Sequence, residues 1–322
     1  MATALDGAVD TAAVRELRRG VYSKPSVERA DLTRLLEFGR RAGAGTPQEY
    51  ADLLADVATD LLVNQADPPK YISPEDANWL IGQLSAGSGL SCSAEFEMLL
   101  AVLRYAVSIP PALSSFAVGE IERAVLEGHY AAGGLPDHVA GIVTKGDVEA
   151  LRSCVFAATQ GSSLHVTRDS AEALFRIAHA TTSAKNDPSF DDFFAQAIGN
   201  YLMGIAFHWT PSIAEESERK KWLDEPRPAA GSFLRGFFHI GKTEEQRAYD
   251  AENARLKIEN DADRAELAGK ADIDAAEADW VLSHLTRAAG LTQAEKRLLL
   301  FLRENAKSIP PTLLQAIEAE AK

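Results

Sequence analysis

Cysteine is the scarcest signal in this chain: Cys92 and Cys154 are the only two in 322 residues. They are too few for a disulfide framework and lack the paired spacing of a zinc site, so a reducing compartment is expected. Long apolar runs are missing as well. No stretch reaches the roughly 18 residues of a membrane span. The opening MATALDGAVDTAAVRELRRG has no apolar region after a basic start, which predicts a soluble, cytoplasmic protein. Cations are in short supply, with 33 Lys+Arg against 47 Asp+Glu and a net charge of −14. No basic patch is segregated from that background, so nucleic acid is excluded as a partner and an anionic membrane is disfavoured. The chain also lacks GxxxxGK[ST], HExxH, GxSxG and CxxC. No catalytic residue and no cofactor is therefore assigned, and an enzyme is the less favoured reading.

What is present is an ordinary globular composition, 46% hydrophobic and 25% charged, carrying an internal repeat. The segment from Ile72, ISPEDANWLIGQLSAGSGLSCSAEFEMLLAVLRYAVSIPPAL, matches that from Ile273, IDAAEADWVLSHLTRAAGLTQAEKRLLLFLRENAKSIPPTL. Ile72 pairs with Ile273, Trp79 with Trp280, Gly89 with Gly290 and Leu90 with Leu291. One loop residue is then deleted. Beyond it Glu95 pairs with Glu295, Leu99 with Leu299, and SIPP at 108–111 with SIPP at 308–311. Two weaker copies precede these, from Val27 and from Val166. The order weak, strong, weak, strong implies an ancestral pair duplicated into two lobes.

Each copy reads as two amphipathic helices around a loop. Ala278, Val281, Leu282 and Leu285 fall at i, i+3, i+4 and i+7, and Leu298, Leu299 and Leu302 repeat the pattern. Ser73-Pro74-Glu75-Asp76 is a helix start, and Thr292 with Glu295 has capping-box spacing. No run alternates with period two, so the fold is read as mainly α. The expected division is an N-terminal tail at 1–20, lobe 1 at 21–130, a linker at 131–145, and lobe 2 at 146–322 interrupted by an insertion at about 210–270.

Paired helix–loop–helix units with a loop glycine, a following hydrophobe and an acid four residues on, as at Gly290, Leu291 and Glu295, resemble the EF-hand superfamily in a degenerate form. The resemblance implies two EF-hand-like lobes. It does not carry over the calcium chemistry, which needs six to eight oxygens. HLTRAAGLTQAE holds only its last carboxylate, QLSAGSGLSCSAE is as bare, and GRRAGAGTPQE places two arginines where a cation would sit. No metal ligand is assigned.

Several single residues carry chemistry in principle. His129 and His138 flank the glycine-rich inter-lobe turn and read as solvated linker histidines. His165, His179, His208, His239 and His284 are scattered singly and read as surface or locally hydrogen-bonded. Cys92 precedes a helix start, where the dipole lowers a thiol pKa, although a passive loop cysteine is the default; Cys154 reads as a small buried hydrophobe. Asp187, Asp191 and Asp192 read as caps of one helix. Trp79 and Trp280 read as core, with a ligand groove as the alternative.

The insertion holds the most pointed signal. Phe233, Leu234, Phe237, Phe238 and Ile240 crowd into eight positions, flanked by glycines and followed by a polar helix from Thr243. The cluster either completes its lobe's core or inserts into a partner's helical groove; a membrane role is disfavoured. With Trp79 and Trp280 these are the candidate interaction residues. The function expected is a non-catalytic protein-interaction, regulatory or scaffold protein whose partner is another protein. The alternatives are a small-ligand binder or enzyme with a pocket between lobes, and a structural subunit of an assembly.

Overall fold

The computed structural model describes residues 10–42, 46–86, 89–128, 138–156, 166–203, 272–285 and 290–320. Among them the chain is mainly helical, with no named strand. The insertion at about 210–270, with its aromatic cluster, lies outside the described residues, as do His129, His165, His208 and His239.

Helix α1 (Thr11–Val21) starts where the Asp10 carboxylate accepts from the Ala13 amide at 2.7 Å. Residues 11–20 of the segment read as a tail are therefore helix. Val14, Leu17 and Val21 recur at helical spacing, and that stripe packs on α3. Helix α2 (Arg29–Ala42) follows, then α3 (Gln48–Thr59), whose end widens into a π-helical turn at Asp60–Asn64. Helix α4 (Pro74–Leu84) begins as its sequence predicts, with the Ser73 hydroxyl accepting from the Asp76 amide and proline in the first turn. Helix α5 is Ser93–Tyr105 and α6 is Pro111–Glu127.

The order then resumes with α7 (Lys145–Val155), α8 (Arg168–Ala180), α9 (Ser189–Met203), α10 (Ala275–His284), α11 (Gln293–Asn305) and α12 (Pro311–Glu320). The helix-hairpin reading missed α6 and α12. Both SIPP motifs start these helices: Pro111 and Pro311 are the first helical residues, where the missing amide proton costs nothing because it would have no intrahelical acceptor.

The two matching segments share local geometry. A parallel bridge joins Tyr71 to Ser108 and another joins Asp272 to Ser308. The Ile72 amide donates to the Ser108 carbonyl at 3.0 Å and the Ile273 amide to the Ser308 carbonyl at 3.1 Å. Gly89 and Gly290 both take positive φ, 107° and 82°, a region that disfavours any residue with a Cβ. Capping follows suit at the last copy: Thr292 and Glu295 form the expected capping box.

Packing assigns the layers. Helix α3 lies along α5, start to start, since the Gln48 amide nitrogen reaches Glu97 at 2.8 Å; α9 lies along α11. Helix α6 runs between the two halves, touching α4, α7 and α8. It is fastened there by Ser114 Oγ on the Cys154 carbonyl at 2.7 Å and by Ser115 with Thr167 at 2.8 Å. Buried side chains from every helix join one contiguous hydrophobic cluster, in which Tyr50, Phe96, Phe175, Phe190, Phe193 and Phe194 are the largest fully enclosed members. At about 25 cal/mol per Å² of apolar surface, burial of this kind is the dominant favourable term.

Candidate functional site

A groove of about 980 Å³ lies between α1 and α5, floored by α3 and ending at the π-helical turn. Its floor is Ala51, Ala55, Leu100 and Ala101. Helical periodicity builds the walls. Asp52, Asp56 and Asp60 recur every four residues along α3 into its π-turn, while Glu97, Leu100, Ala101, Arg104 and Tyr105 form one stripe of α5. Tyr22 ends α1 and Lys70 enters from the loop before α4.

The charges are not evenly satisfied. Arg18 meets Asp56 at 2.9 Å, and the Tyr22 hydroxyl donates to Asp60 at 2.7 Å. Burial, and then that carboxylate, push the Tyr22 phenol well above its ordinary value, so it stays a neutral donor. Asp52 and Glu97 share one donor, the Gln48 side-chain amide, at 3.3 and 2.8 Å. At the other end Lys70 and Arg104 have no ion pair among the described residues. Tyr105 is 59% exposed and Tyr22 41%, among the most open large side chains described. Exposed tyrosines beside arginines are the side chains on which interface energy concentrates.

A second cluster sits where the EF-hand resemblance puts the last loop acid. Glu95 is buried at 1% exposure. It accepts from Arg40 Nε at 2.8 Å and from the Ser91 amide at 2.7 Å, while Arg40 also donates to the Gln83 carbonyl at 2.6 Å. Arg40, one of the two arginines that the sequence places in the first copy's loop, thus supplies the countercharge to the second copy's acid. Desolvation still holds the Glu95 carboxyl above the ordinary range, opposed by the Ser91 amide and by Arg40. Beside it Glu120 accepts from the Leu90 amide at 3.0 Å and from Arg123 at 2.9 Å. Any side chain at Gly89 would collide with Arg123, whose nearest nitrogen lies 1.8 Å from the added Cβ.

Glu295, with 0% exposure, accepts from the Thr292 amide at 2.6 Å and meets His179 Nε2 at 3.1 Å. His179 therefore bonds to a partner 116 residues away rather than locally. His138 is not a solvated linker residue either. Its Nδ1 meets Asp147 Oδ1 at 2.8 Å and its Nε2 is buried with no hydrogen-bond partner among the described residues. The cause is Asp147, a fully buried carboxylate in the capping box of α7: Oδ2 accepts from the Thr144 amide and hydroxyl, and the ring meets Oδ1. His284 does bond locally, to the Trp280 carbonyl at 2.8 Å.

The other sequence candidates fall in separate places. Phe233, Leu234, Phe237, Phe238 and Ile240 lie outside the described residues. Trp79 is half-buried under the Arg29 guanidinium at 5.3 Å, and Trp280 is half-buried against Tyr201 at 4.9 Å and Phe175 at 5.7 Å. Neither lines the groove. Cys92 sits at the start of α5 but is buried, and desolvation raises its thiol pKa rather than lowering it. Burial alone raises Cys154 still further. The Asp187 carboxylate accepts from the Ser189 amide at 3.0 Å at the start of α9, while Asp192 pairs with Arg297 of α11. Among the described residues no three His, Cys, Asp or Glu side chains gather as a metal site would require.

The sequence reading passed over the groove because its residues come from α1, α3, α5 and a loop, each with an ordinary surface pattern. The spacing of Asp52, Asp56 and Asp60 was the one signal available. No protein-family model, no curated protein and no solved structure matches this chain.

Proposed function

We propose that this is a non-catalytic interaction protein that holds a segment of a partner protein in the groove between α1 and α5. One observation carries the reading: a groove of about 980 Å³ whose walls carry two exposed tyrosines and two cations, Lys70 and Arg104, without an ion pair among the described residues. That is the composition of a recognition surface, and the groove suits a short peptide or helix better than a flat contact.

The scaffold beneath it is proposed to be a duplicated pair of EF-hand-like helix–loop–helix units, with the Arg40 guanidinium in place of a metal at Glu95. Matching Tyr71–Ser108 and Asp272–Ser308 bridges and the burial of both Glu95 and Glu295 support this. No described helix is long and apolar enough to cross a membrane. Two buried free thiols favour a reducing compartment such as the cytoplasm.

Filling the groove tests the function. Ala55→Arg places a long side chain on the floor without disturbing a core position. Proteins that co-purify with the wild-type chain from its native cell should be lost with Ala55→Arg at an unchanged melting temperature. Retention of the same proteins by both forms would move the interaction away from the groove.

A further inference from the structure

The groove is electrically polar along its length, and this specifies what it holds. Its end at the starts of α3 and α5 carries Asp52 and Glu97, two carboxylates with one amide donor between them. Its far end carries Lys70 and Arg104, which have no described ionic partner. The acids between, Asp56 and Asp60, are already engaged by Arg18 and Tyr22. Arg15 of α1 lies beside Asp52 and Glu49 at the first end, so charge without an ion pair among the described residues is net negative at one end and positive at the other.

We infer that the occupant is an amphipathic partner helix with acids in its first turns and bases in its last, lying antiparallel to α3 and α5. Its acidic N-terminal turns then meet Lys70 and Arg104, and its basic C-terminal turns meet Asp52 and Glu97. Three effects agree on this orientation. Opposite charges face one another at both ends. Acids first and bases last complement the partner helix's own macrodipole, so the helix is stable before it docks. Antiparallel packing sets that dipole against those of α3 and α5, which run side by side in the same direction. Tyr22 and Tyr105 flank the basic end and present amphipathic rings to the partner's apolar stripe. The inference rests on the groove being the binding site.

Two synthetic peptides of about 15 residues, enough for four helical turns, separate the possibilities. They share composition and one Leu/Ala stripe. One has its glutamates first and lysines last; the other has them interleaved. Titration into the full chain at low ionic strength should show the segregated peptide binding about tenfold more tightly, with a steep salt dependence. Lys70→Glu with Arg104→Glu should remove that advantage, so that the segregated peptide binds no more tightly than the interleaved one. The milder Lys70→Gln with Arg104→Gln should remove part of it, should the reversal impair folding. A nitroxide on the segregated peptide's N-terminus should broaden the amide signals of Asn64 and Lys70 and spare Gln48. Equal affinity of the two peptides, or broadening at Gln48, overturns the polarity while leaving the groove a binding site. Absence of saturable binding by either peptide, or binding that Ala55→Arg does not weaken, overturns the groove reading itself.

Discussion

Glu95 and Glu295 occupy corresponding positions in the two matching segments, and both are buried, yet their surroundings solve the same problem differently. In the second segment Thr292 lies three residues before the acid. Its hydroxyl accepts the Glu295 amide while the carboxylate returns to the Thr292 amide, a complete capping box. The first segment has one more loop residue. Cys92 fills the capping position with no side-chain bond, and Glu95 reaches the Ser91 amide four residues back. Having lost one capping contact, Glu95 depends on a permanent cation, Arg40. Glu295 has the cap and also meets His179, an imidazole whose own side chain is 37% exposed. A shift of one residue in a loop therefore changes which local contacts hold the buried acid.

Removing the countercharge is the strongest way to break this comparison. Arg40→Met leaves Glu95 uncompensated and is expected to cost about 3–5 kcal/mol of folding stability, read from urea unfolding. Adding Glu95→Gln should recover much of the loss, because a neutral amide can keep one acceptor bond. The pH dependence has a definite sign. Burial already raises the folded-state pKa of Glu95 above its unfolded value. A raised carboxylate favours folding fully below the unfolded value of about 4.3 and loses that contribution as pH climbs through the folded value. Without Arg40 the folded value rises further, so the deficit should be wider at about pH 8 than at about pH 5. Equal deficits at both would mean that Arg40 acts through packing alone.

The corresponding change in the second half sharpens the contrast. His179→Ala should cost only about 1 kcal/mol, since the pair is partly screened and the capping box still holds Glu295. A loss as large as that of Arg40→Met would show that the cap does not compensate. Removing the cap by Thr292→Ala should likewise cost about 1 kcal/mol. The smallest effect is expected from the reciprocal Cys92→Thr, which restores a hydroxyl to the uncapped start of α5 and should add a few tenths of a kcal/mol. Thermal melts of the two variants in parallel would check both signs.

Local rules made much of the helical framework readable. Ser73-Pro74, Thr292 with Glu295, and the spacing of Ala278, Val281 and Leu298 lie within one or two turns, and the structure places α4, α10 and α11 as that chemistry requires. Helices α6 and α12 went unread because Pro-Pro was taken as a stop, although proline starts a helix as readily as it ends one. Almost nothing of the groove was legible. Its floor and walls come from residues 18 to 105, and an exposed tyrosine such as Tyr105 has no sequence mark that separates it from a buried one such as Tyr50.

Composition, caps and periodicity by themselves determined a mainly helical chain with few cysteines, a negative charge and a matched pair of segments ending in SIPP, because each depends on neighbours within a few residues. Only tertiary structure decided which cation meets which buried acid, that His138 and His179 are drawn to Asp147 and Glu295, and that α1, α3 and α5 leave a polar groove between them. Those outcomes depend on desolvation and on distances between segments far apart in the chain, and a carboxylate's cost of burial exists only once packing has removed its water.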